Sequence, residues 1–73
     1  MAANVEMDRA ILIRDLSSQI DSLAKSHIQH HLGHTQAIAQ MEEKILRFIK
    51  DHNINVTEEL DPIHKYYFWR FLT

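Results

Sequence analysis

Apolar positions in the first half of the chain recur at steps of three and four: Ile13, Leu16, Ile20 and Leu23, continued in polar form by His27. That spacing draws one narrow stripe along a helix and leaves the other faces to water. Asn4 can cap the start through its side-chain oxygen, and Glu6 and Asp8 sit where the positive helix end favours carboxylates. The pattern predicts a first helix over about residues 5–31. The same rule resumes at Ile38, Met41, Ile45, Phe48 and His52, with Glu42, Glu43, Lys44, Arg47 and Lys50 mostly toward solvent. It predicts a second helix over 35–52, with Thr35 as its cap. Asn53 to Thr57 breaks the repeat with turn-tolerant asparagines and β-branched residues, so 53–61 is expected to be a loop. Asp61–Pro62 is a helix start, aspartate as cap and proline at the first position, and predicts a third helix over 62–71.

Gly33 is the chain's one glycine and the natural reversal point. A left-handed cap there, followed by His34 and a new cap at Thr35, makes the first two helices antiparallel neighbours. The competing arrangement is one uninterrupted helix across Gly33, since an interior glycine costs only ~1 kcal/mol relative to alanine. The expected class is all-α: a helical hairpin with a short aromatic C-terminal helix, forming a single domain.

Length sharpens this picture. The chain has 73 residues and no cysteine, and a core of that size supplies only ~3–5 kcal/mol without a disulfide. Self-association is one remedy. Two copies are expected to pair through Ile13, Leu16, Ile20, Leu23, Ile38, Met41, Ile45 and Phe48 into a four-helix core, as a homodimer. A net charge of −2, with eight Lys and Arg scattered among ten Asp and Glu, leaves no positive stripe for a phosphate backbone, so direct nucleic-acid binding is not expected. No run of apolar residues is long enough to span a bilayer and no leader pattern opens the chain, so a cytoplasmic protein without a membrane is expected.

His27, His30, His31 and His34 fall at helical spacings of three and four, and the pairs His27–His31 and His30–His34 could each share a Zn, Ni or Cu ion. No cysteine or nearby carboxylate completes a zinc pattern. The plainer interpretation is that the imidazoles carry the stripe into water at the end of a hairpin; another is that they titrate near ~6.5 and loosen an acid-responsive assembly. Catalytic parts are lacking: Ser26, His27 and Asp21 point in different directions on a helix and have no oxyanion loop, and Glu42–Glu43 and Glu58–Glu59 read as solvated faces.

Five of the six aromatic residues are Tyr66, Tyr67, Phe68, Trp69 and Phe71. At 100° per residue, Ile63, Tyr67, Arg70 and Phe71 share one region, His64, Phe68 and Leu72 another, and Trp69 a third. The plainer reading is ordinary core, a terminal aromatic helix closing the open side of the hairpin; but one helix cannot hide them all, and Tyr, Trp and Arg are the side chains that most often carry interface energy. The expectation is a non-enzymatic regulator or inhibitor of bacterial or phage type, docking on a larger protein through Tyr66, Tyr67, Trp69 and Arg70. A histidine-based metal-binding dimer is the alternative.

Overall fold

The computed structural model describes the backbone of residues 2–29 and 35–72 and the side chains of 8–29 and 36–72. Four helices follow one another: α1 (Ala2–Gln29), α2 (Thr35–Asp51), α3 (Val56–Glu59) and α4 (Pro62–Phe71). Among the described residues there is no strand, and no helix is long and apolar enough to cross a membrane. The molecule measures 47 × 21 × 17 Å. Its long axis is set by α1, whose 28 residues rise about 42 Å.

Helix α1 begins at Ala2, earlier than predicted. Asn4 therefore lies within the first turn instead of capping it. The glycine turn at Gly33 and the Thr35 side chain lie outside the described residues. Two hydrogen bonds join α1 to residues far along the chain. Ser26 Oγ donates to Met41 Sδ at 3.6 Å, and Arg9 reaches the His52 carbonyl at 2.8 Å. In a continuous helix Arg9 and His52 would stand about 65 Å apart. Contacts between α1 and α2 pair late residues with early ones. Those between α1 and α4 rise together, His64 meeting Asp21 and Phe71 meeting His27.

The C-terminus of α2 shows why the chain turns where it does. Asn53 adopts φ 51, the left-handed conformation that asparagine tolerates. Its amide donates to the Lys50 carbonyl at 3.2 Å and the Ile54 amide to Ile49 at 3.0 Å, the paired bonds that satisfy orphaned carbonyls at a helix end. The stretch expected to be a loop contains α3. Asn55 caps it, with Oδ1 accepting from the Glu58 amide at 3.2 Å, while the Glu59 carboxylate accepts from the Asn55 amide at 2.8 Å. This is a reciprocal capping arrangement with the carboxylate supplied one residue later than usual. Asp61, extended at ψ 165 as a residue before proline prefers, then starts α4.

The core lies between α1 and everything after it. Leu16, Ile20, Leu23 and Ile45 are at most 1% exposed, joined by Ile38, Ile54, Val56, Leu60 and Phe68; Ile13, Met41 and Phe48 pack against them half-buried. The stripe predicted to pair two copies is thus covered within one chain. Ile54, Val56, Leu60 and Phe68, from the segment after α2 and from α4, join this cluster, with α4 packed along α1.

Candidate functional site

Helix α4 presents two chemically different faces. Inward, Phe68 is buried, and Tyr67, Phe71 and Leu72 pack half-buried against the core. Outward stand Ile63, Tyr66 and Trp69, exposed by 49%, 56% and 54%, and Arg70 is exposed beside them. Successive steps of three residues keep these apolar side chains on one side of the helix, drifting slowly round it. Tyr67 and Phe71 belong with the inward group, not with Ile63 and Arg70 as the angular pattern suggested. Of the four residues predicted to bind a partner, Tyr66, Trp69 and Arg70 are exposed, and Tyr67 faces the core. The Trp69 ring meets Phe68 edge-on at 5.3 Å, and the Arg70 guanidinium lies 5.8 Å from the Phe71 ring centre. Trp69 and Arg70 are thereby each seated on an inward ring.

Two polar joints hold the inward face down. At the first, Arg9 of α1 donates through Nε to Glu59 Oε1 at 2.6 Å and through Nη2 to Glu59 Oε2 at 2.5 Å. The same guanidinium donates to the carbonyls of His52 at 2.8 Å and Asn53 at 3.0 Å. A planar fork with five donors suits a carboxylate and two adjacent carbonyls at once. These bonds from Arg9, with that from the Asn55 amide, hold the Glu59 carboxyl below its ordinary value, and Glu59 in turn raises the Arg9 guanidinium. Glu59, expected on a solvated face, is a structural ligand.

At the second joint the His64 ring bridges two carboxylates, Nδ1 to Asp61 Oδ1 at 2.5 Å and Nε2 to Asp21 Oδ1 at 2.9 Å. Only the imidazolium carries a hydrogen on both nitrogens. Burial works to lower its pKa, but the bonds to Asp61 and Asp21 outweigh burial and hold it above the ordinary histidine value. Asp61 is held low mainly by the same bond. Its side chain makes no regular cap hydrogen bond at the start of α4 and meets the His64 ring instead. The two joints border a shallow groove between α1 and the start of α4, lined also by Arg14 and Ser17.

Of the four clustered histidines only His27 is among the described residues; His30, His31 and His34 lie outside them. His27 stacks on Phe71, ring centres 4.8 Å apart and planes 14° apart, with Nε2 3.6 Å from Glu42 Oε2. Among the described residues no three His, Cys, Asp or Glu side chains converge as metal ligands. Spacing alone could not reveal the Arg9–Glu59 and His64–Asp21 pairs, since their members are 50 and 43 residues apart. A local signal does exist for Asp61–His64, an acid and a histidine three apart at a helix start.

Comparison of the chain with protein-family models, with curated proteins and with solved structures finds no match in any of the three.

Proposed function

We propose that this chain is a small non-enzymatic protein-binding module, a regulator or inhibitor that docks on a larger protein through the outward face of α4. In this view α1 and α2 form an antiparallel hairpin whose groove is closed by α3 and α4, and the hairpin is a rigid mount for one aromatic ridge. One observation carries the proposal. Among the described residues, three of the six exposed large apolar side chains, Ile63, Tyr66 and Trp69, lie within seven residues on one helix face, while the opposite face is buried. Isolated exposed apolar residues are ordinary, but clustered aromatics on a fixed backbone have the composition and low side-chain entropy of binding hot spots. Occlusion or bridging of the partner follows without chemistry in this chain. Because Leu16, Ile20, Leu23 and Ile45 are already covered within one chain, pairing of two copies through that stripe is disfavoured.

The test uses a photo-cross-linking amino acid at Tyr66, introduced in the cells of origin, followed by affinity measurement with the purified captured protein. Trp69→Ala should weaken that complex by about thirtyfold, the cost of losing a hot-spot aromatic, with no change in the unfolding midpoint. Sedimentation should show one copy at micromolar concentration. Equal affinity of the wild type and Trp69→Ala, or a cross-link only to a second copy, would defeat the proposal.

A further inference from the structure

From the charge carried by this ridge we infer that the surface docking on α4 is an apolar helix flanked by carboxylates; the inference rests on the protein-binding function proposed above and adds the chemistry of the partner. The ten Asp and Glu all lie at or before Asp61, together with six of the eight Lys and Arg, so residues 1–61 carry −4 and residues 62–73 carry +2. Helix α4 itself contains no carboxylate, and the one at its cap, Asp61, is engaged by His64. The exposed apolar side chains Ile63, Tyr66 and Trp69 therefore stand beside exposed Arg70 and half-exposed Lys65 with no acid among them.

Geometry supplies the shape of the partner. Steps of three residues advance about 4.5 Å each, so Ile63, Tyr66 and Trp69 form a ridge about 9 Å long, a row of the i, i+3 kind that packs into the grooves of a facing helix. Matching that ridge requires aliphatic side chains at helical spacing, and matching Lys65 and Arg70 requires Asp or Glu at their margins. Such charges act at the rim, steering the encounter and penalising basic competitors more than adding affinity. The alternatives fit less well. Two copies meeting by their α4 faces would oppose like charges across a twofold axis. An anionic bilayer or a nucleic acid would face the −4 body as well as the +2 helix, with only two cations engaged.

The experiment selects binders to the whole chain from a displayed library of helical peptides, in parallel on the wild type, on Trp69→Ala and on the charge-reversed variant Lys65→Glu, Arg70→Glu. Wild-type selection should yield peptides with an aliphatic stripe bordered by Asp or Glu. These peptides should bind the charge-reversed variant about tenfold more weakly and lose their attraction in high salt. The charge-reversed variant should select Lys and Arg at the same margins. Trp69, the chain's single tryptophan, reports directly: acidic peptides should shift its emission to the blue, whereas vesicles rich in phosphatidylserine should not. Peptides that need Trp69 but show no acidic margin, or that bind the charge-reversed variant equally, would overturn the inference and leave the binding module standing. An emission shift with vesicles would overturn it in favour of a lipid surface. Failure of any Trp69-dependent peptide to emerge would remove the module itself.

Discussion

The inward and outward faces of α4 are built from the same kinds of residue and do opposite things. Phe68 is 8% exposed and Trp69, the next residue, 54%. Hydrophobicity therefore does not decide which aromatic becomes core. The decision is made at the start of α4, where Arg9 fastens α3 and His64 fastens the first turn of α4 to α1, fixing the rotation of the helix about its own axis. Released from those joints, α4 would have several comparable apolar faces to offer the groove. The joints specify one of them, and the ridge at Ile63, Tyr66 and Trp69 is what that choice leaves outside.

The largest effect should come from the inward face. Phe68→Ala removes a buried ring in contact with the cluster that α1 and α2 build, and should cost about 3–5 kcal/mol, the range for large aromatic-to-alanine changes in cores. Equilibrium denaturation in urea would show it as a lower midpoint with little change in slope. A loss below about 1 kcal/mol would mean that α4 contributes little to the core, and the contrast between its faces would lose its basis.

Next in size is the joint at Arg9. Arg9→Met keeps the unbranched apolar stem but removes the guanidinium, abandons Glu59 and leaves the carbonyls of His52 and Asn53 to water. The unfolding midpoint should fall by less than for Phe68→Ala, and the loss should be the same at pH 6.5 and pH 9, since the guanidinium stays charged across that interval. Amide exchange should accelerate most at Asn55 and Glu58, whose amides depend on the cap that Glu59 completes.

The joint at His64 differs in being titratable, and its sign can be worked out. Its pKa in the folded chain lies above the ordinary value near 6.5, so its stabilisation is complete below that value and is lost as pH rises through the folded pKa. Asp61 and Glu59, held low, behave oppositely: their contributions are present above their ordinary values and vanish as pH falls through the depressed ones. Stability should therefore peak in mildly acidic solution. His64→Gln should flatten the decline on the alkaline side and leave the acid limb governed by Glu59. A wild-type midpoint that rose steadily from pH 6 to pH 9 would contradict the bridge.

How far the sequence carries this architecture depends on the range of the interactions concerned. The helices α1 and α2 follow from spacing, because a stripe at steps of three and four has few other uses, and α4 from Asp61–Pro62, which marks its start. Helix α3 is only four residues long and too short for periodicity to register; its one local trace is Asn55 with carboxylates at Glu58 and Glu59. The covering of Leu16, Ile20 and Leu23 by the chain's own C-terminal third was one of two readings the sequence allowed, since a stripe says that a face is buried and not by what. Arg9 and His64 stayed hidden for the same reason: each acquires its role only when residues more than 40 positions away arrive beside it.

The smallest effect on stability should be the most informative for function. Trp69→Ala and Tyr66→Ala alter side chains more than half exposed and should change the unfolding free energy by no more than about 0.5 kcal/mol. A core residue cannot be removed so quietly, and a binding residue must be, if the unbound chain is to remain folded with its ridge in water. The Trp69 contact with Phe68 makes this a sharp test, because an indole that merely shielded the ring beneath it would report a cost intermediate between the two faces. A neutral Trp69→Ala beside a costly Phe68→Ala assigns consecutive residues to recognition and to folding. A cost of 2 kcal/mol or more at Trp69, on the scale of a buried side chain, would place the indole with the core and leave the outward ridge too small to anchor a partner.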